Sequence, residues 1–198
     1  MSQNDDSTPE PLEALPRLSE ADREDLLRLA RQALAQYLGE GTTPNCETHS
    51  GALLQHRATF VTLTDRDTGM LRGCRGEVVA RQSLLESVVN MAIAAATDDP
   101  RFPTVDLSEV SRLHIEISVL SPMEPIAPSA IEIGRHGLMI MKGRNAGLLL
   151  PQVPAEYGWD REEFLNALCR KAGLPPGTWQ SSGVQLYGFE CEVWGESG

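Results

Sequence analysis

The sequence predicts an α+β fold built on a mostly antiparallel sheet with packed helices. Three observations predict it. Short apolar strands come as hairpins around Asp/Gly-rich turns rather than alternating one by one with helices. Each hairpin is followed by a helical stretch and a further strand. This order, strand, strand, helix, strand, occurs twice at a spacing of about 75 residues, which suggests an internal duplication of a β-β-α-β unit without visible repetition of residue identities.

The elements follow in order. Residues 1–17 carry three prolines and four acidic residues and read as a disordered acidic tail. Residues 18–198 read as a single domain, with two possible subdomains at about 18–125 and 126–198. A first helix is expected from Ser19 to Leu38, with Ser19 and Asp22 as a capping box and Gly39 and Gly41 as its stop. Phe60–Thr64 reads as a strand, 65–69 as a turn and Met70–Ala80 as the returning strand. Ser83 and Glu86 cap a second helix through Thr97, apolar on several sides and therefore expected to be well buried. Leu113, Ile115, Ile117 and Val119 alternate with His114, Glu116 and Ser118, the pattern of a strand with one face on the core. The second unit reads as a hairpin of 137–142 and 147–150, a helix from Arg161 to Ala172 closed by Gly173, and one strand from Leu186 to Trp194. Trp159 and Trp179 flank that helix and are expected to pack it on the sheet.

Composition excludes several classes. The chain has 198 residues and is 41% hydrophobic and 23% charged, the balance of a soluble globular protein. Seventeen Lys and Arg against 28 Asp and Glu give a net charge of -11, which makes nucleic-acid binding an unfavoured reading. No apolar run is long enough to span a bilayer, and the acidic, polar start does not read as a secretory signal. A cytoplasmic protein with reduced thiols is expected. Cys46, Cys74, Cys169 and Cys191 lie too far apart for a cysteine-built zinc site, and the histidines lack the spacing of helix-face ligands, so no metal is assigned. Cys169 and Cys191 read as buried, inert thiols. The glycine-rich stretches at 134–137 and 143–147 lack a nucleotide-binding spacing and read as turns.

The informative stretch is Leu71-Arg72-Gly73-Cys74-Arg75-Gly76. Glycine inside a strand marks a bulge or a close approach to the backbone. Arginines on both sides of Cys74 favour thiolate over thiol, and the thiolate is the nucleophile. Arg72, Gly73, Gly76 and Arg101 are therefore candidate ligand-binding residues for an anionic group. The same residues also fit a structural reading, in which Cys74 fills the core and the glycines relieve crowding under the following helix. Alternation puts Leu71, Gly73 and Arg75 on one face and Arg72, Cys74 and Gly76 on the other. Glu116 is a candidate general base if it lines a cleft, with a solvated strand face as the alternative. His136 is a candidate to activate the cysteine, so Cys74, Glu116 and His136 form the candidate catalytic set. His49 and His56 read as solvated.

LRGCRG closely resembles the LRGCIG signature of the AMMECR family, named for a deleted chromosomal region in a human syndrome. The likeness extends to DPRFP at 99–103, HIEISVLSP at 114–122, RHGL at 135–138, LLLPQV at 148–153 and CRKAGL at 169–174. Arg75 departs from the usual isoleucine, which weakens any inference that this side chain is buried. The resemblance implies a single antiparallel sheet with two β-β-β-α-α-β repeats and a signature that forms a catalytic or ligand site, and it strengthens Glu116 as a site residue. It also implies association with Memo-type dioxygenase-like and radical S-adenosylmethionine proteins. It implies no established activity, and the cofactor is unknown. Three functions stay open: a small enzyme or enzyme subunit using Cys74, a non-catalytic ligand- or protein-binding module, and a scaffold for those partners.

Overall fold

A computed structural model describes residues 17–197, so the expected tail lies, apart from Arg17, outside the described residues. Helix α1 runs Glu20–Glu40, with the Ser19–Asp22 capping box formed and Gly41 ending it in the left-handed conformation at φ 71°. Gly39 lies inside the helix rather than stopping it. Strands β1 (Thr59–Asp65) and β2 (Leu71–Gly76) form the first hairpin. Asp65 holds the turn by accepting from the backbone and hydroxyl of Thr68. β2 ends at Gly76, not at Ala80. The segment before β1 bonds elsewhere, since the Gln55 and Leu53 carbonyls accept from Leu84 and Leu85 at the start of the next helix.

That helix, α2 (Leu84–Thr97), starts at the expected Ser83–Glu86 capping box and is buried on several sides. A 3₁₀ turn at Leu107–Arg112 leads into β3 (Leu113–Leu120) and the two-residue β4 (Glu124–Pro125). The second unit holds β5 (Gly137–Lys142), β6 (Asn145–Leu149), a short α3 (Gln152–Tyr157) that hydrophobic periodicity does not reveal, and α4 (Arg161–Lys171). It closes with β7 (Gln185–Phe189) and β8 (Cys191–Gly195).

The strands make two four-stranded antiparallel sheets, ordered β2-β1-β3-β8 and β4-β7-β5-β6. The triplets β2-β1-β3 and β6-β5-β7 have the same connectivity, each with a helix after its hairpin, so the twofold order expected from the sequence is present. The fourth strands are exchanged. β4 follows β3 in the chain but pairs with β7, and β8 follows β7 but pairs with β3.

Two expectations are corrected by this exchange. The family resemblance implied one sheet, and there are two. The stretch 186–194 read as one strand, but it divides at Glu190, where the chain leaves the second sheet for the first. Ser121 pins the break: its N–H donates to the Glu190 carbonyl at 2.9 Å, and its hydroxyl accepts from the Glu190 N–H at 2.9 Å.

The core is layered accordingly. α1 and α2 cover the β1–β3 face carrying Val61, Leu63, Ile115 and Ile117. Phe164, Leu165, Leu168 and Cys169 of α4 cover Leu138 and Ile140, with Trp159 and Trp179 packed alongside as expected. A smaller cluster of Leu120, Phe189, Phe60, Leu148 and Leu150 joins the two units. Among the described residues, no helix is long and apolar enough to cross a membrane.

Candidate functional site

The signature occupies β2, the edge strand of the first sheet. Its glycines are packing glycines. A Cβ on Gly73 would lie 2.1 Å from the Ala95 carbonyl oxygen, so α2 rests directly on the strand backbone. A Cβ on Gly76 would lie 2.1 Å from the Phe60 ring. Close approach of a neighbouring element, rather than of a ligand, is what these two positions require.

Because the end of α2 comes so near, the loop after it reaches the edge of β2. The Asp99 carboxylate is buried, 5% exposed, and accepts the Cys74 N–H at 2.9 Å. It also accepts the Arg101 side chain at 2.9 and 2.6 Å and the Arg101 backbone N–H at 3.1 Å. The Arg101 hydrogen bonds hold the Asp99 carboxyl well below the ordinary carboxylate range, with burial opposing them. Sequence reasoning did not single out Asp99. Its two-residue spacing from Arg101 was the available signal.

Arg72 makes four hydrogen bonds. It donates to both Glu109 oxygens at 2.9 and 3.1 Å and to the carbonyls of Pro103 and Thr104 at 2.8 and 3.3 Å. It ties the edge strand to the loop and the 3₁₀ turn, and the Glu109 carboxyl is held below its usual range chiefly by that bond. Arg75 is exposed. Arg101 is the cation of the expected set that retains an open side: its side chain is 56% exposed, and Nη1 makes no hydrogen bond among the described residues.

Register places Cys74 opposite Thr62, and Thr62 opposite Glu116. Residues that are directly opposite share a face, so the three side chains form one row on the side of the sheet away from α2. The Cys74 N–H points off the edge to Asp99, so the Cys74–Thr62 pair does not exchange backbone bonds and its side chains sit close. The Thr62 hydroxyl donates to Cys74 Sγ at 3.4 Å. All three residues are half-buried. Strand spacing puts the Cys74 and Glu116 backbones about 10 Å apart.

His136 does not join them. It precedes β5 in the second unit, where its Nδ1 accepts the Glu132 N–H at 3.0 Å, and it lines a cleft whose walls include neither Cys74 nor Glu116. The structure therefore unites Cys74 and Glu116 through Thr62 and leaves the third member of the expected catalytic set elsewhere. His114 bonds the Glu196 carbonyl at 3.0 Å. Among the described residues, no three His, Cys, Asp or Glu side chains gather as a metal-binding group.

Two exchanged-strand repeats, with a cysteine row on the face of one sheet turned away from α2, define an α+β class in which the signature strand is clamped from its edge. The AMMECR1 family model matches residues 27–194, and the chain belongs to that family. It is 43% identical over 188 residues to protein MK0488 of Methanopyrus kandleri, covering 91% of each chain. It is also 43% identical over 177 residues to protein MJ0810 of Methanocaldococcus jannaschii, covering 86% of this chain and 88% of that one. Among solved structures it resembles the uncharacterized protein PH0010 of Pyrococcus horikoshii, with a TM-score of 0.80 and 42% identity over 88% of this chain and 91% of that one.

Proposed function

We propose that the protein is a small cytoplasmic enzyme, or enzyme subunit, whose substrate lies over the Cys74–Thr62–Glu116 row. One observation carries this reading: a half-buried thiol accepts a hydroxyl hydrogen bond while its own backbone is fixed by a buried carboxylate. Fixing the nucleophile on a strand, rather than on a loop, is how a site achieves the positioning its chemistry needs. Cys74 is the nucleophile, Thr62 supports the thiolate by donating to sulfur, and Glu116 is the acid–base group. The open side of Arg101 faces an anionic substituent of a small ligand, with Gly73 keeping the strand against α2. The four free thiols suit a reducing compartment.

A second reading has its own observation. Met70 and Leu71, 70% and 37% exposed, lead into the signature strand. They suit docking of a protein partner, such as the Memo-type and radical S-adenosylmethionine proteins that the family resemblance implies, and in that case the row serves recognition rather than turnover.

Alkylation of the folded protein, resolved by cysteine with mass spectrometry, tests the first reading. Cys169 is fully buried in α4, burial pushes the Cys46 thiol up, and burial pushes the Cys191 thiol up to about 11. At pH 8 a thiol titrating there is thiolate in only roughly one molecule in a thousand. Cys74 is expected to react fastest, by about tenfold or more over Cys191. A Cys74 as slow as Cys169 overturns the nucleophile assignment.

A further inference from the structure

We infer that the cleft between the two units is a binding site for a small ligand carrying a carboxylate or phosphate group, and that Arg57 is its anchor. This site is separate from the Cys74 row, so either reading stands or falls alone. The cleft measures about 630 Å³, within the range of small-molecule sites. Arg17, Arg23, Arg57, Arg135 and His136 contribute to its lining.

Arg57 is only 5% exposed. Its Nη2 donates to Glu192 Oε1 at 3.0 Å, whereas Nε and Nη1 have no partner among the described residues. Arg23 donates its Nη2 to the other Glu192 oxygen at 2.9 Å, stacks at 5.6 Å over the Trp194 ring, and leaves Nε without a partner. Thr59 is completely buried with an unpartnered hydroxyl, and it lies in the same cross-strand row as Val119 and Glu192. Among the described residues, every buried side-chain nitrogen or oxygen without a hydrogen bond lies in this one corner.

Such a concentration has a chemical meaning. A buried donor without an acceptor is destabilising, and two guanidinium groups sharing one carboxylate leave one positive charge uncompensated. Guanidinium N–H groups match the oxygens of a carboxylate or phosphate, which supply both the acceptors and the missing negative charge. His136 adds a donor: with Nδ1 accepting from Glu132, the neutral ring carries its proton on Nε2. Glu124 and Glu190 also line the cleft, and the chain carries a charge of -11, so a compact ligand with one anionic group fits better than a polyanion.

Titration of the 198-residue chain with inorganic phosphate at constant ionic strength tests the site, read by thermal unfolding and by the arginine Nε–H resonances. A saturable rise in Tm is expected, with the Arg57 and Arg23 Nε–H signals shifting along the same curve. Arg23→Gln should weaken the response by about tenfold, and Arg57→Met should abolish it. The signals of the unmodified protein keep the test decisive if Arg57→Met does not fold. Unmoved Tm and Nε–H signals at saturating phosphate overturn the proposal, as does an equal response in Arg23→Gln. Asp5, Asp6, Glu10 and Glu13 are another source of carboxylates within the chain. Changing all four to amides should leave the phosphate response unchanged. Tighter phosphate binding in that variant would assign the site to the chain's own carboxylates and overturn the small-ligand assignment.

Discussion

Gly73→Ala is expected to destabilise the fold by about 3 kcal/mol, at the upper end of the cost of overpacking a core. The added Cβ would meet the Ala95 carbonyl oxygen at 2.1 Å, and that oxygen is helix backbone, which cannot swing aside as a side chain can. The last turn of α2 must move outward, and the loop that carries Asp99 moves with it. For a chain of this length the loss corresponds to a fall in Tm of roughly 6–12 °C. Two other glycines serve as controls. Gly69→Ala meets no atom within 4 Å and suffers only the strain of φ 69°, about 1–2 kcal/mol. Gly76→Ala meets the Phe60 ring, a side chain that can reorient, and should fall between the two. Chemical denaturation of the three variants gives the order. Equal costs at Gly73 and Gly69 would mean that α2 does not bear on the signature strand.

Asp99→Ala is expected to destabilise by about 2–3 kcal/mol, because it leaves the Cys74 N–H without its acceptor and removes both side-chain bonds to Arg101. The effect stays at the hydrogen-bond scale because Arg101 is more than half exposed and water takes over much of its charge. The pH dependence has a definite sign. Since the folded carboxyl titrates well below an unfolded aspartate, its contribution is complete above about pH 4 and is lost as the pH falls further. The stability gap between the natural protein and Asp99→Ala should therefore narrow from pH 5 to pH 2. Urea midpoints at several pH values check this, and a gap independent of pH would remove Asp99 from the account of the clamp.

Much of the fold is legible because local chemistry sets it. Ser19 with Asp22, and Ser83 with Glu86, announce their helices within four residues, and the Asp65–Gly69 turn announces the first hairpin. The exchange of β4 and β8 is not legible in that way. β4 has only two residues, and the break at Glu190 depends on Ser121, 69 residues earlier.

The candidate site divides along the same line. Alternation places Cys74 and Glu116 on faces of their own strands, but only the pairing of both with Thr62 shows that the faces are one. Local reading overstated the charge beside Cys74, since Arg72 is neutralised by Glu109, 37 residues away, in a bond that no short-range pattern announces. Arg57 and Glu192 are 135 residues apart, so the corner they build has no local trace.

The proposed function makes Cys74 and Thr62 one unit on the sheet face turned away from α2. The most direct test is the alkylation rate of Cys74 at pH 7 in the natural protein and in Thr62→Val, with Cys46 as the internal standard. Valine keeps the branched shape that suits β1 and removes only the hydroxyl. Because a hydrogen bond to a thiolate is stronger than one to a thiol, the account predicts a fall of about fivefold at Cys74 with Cys46 unchanged. An unchanged or faster Cys74 would contradict it.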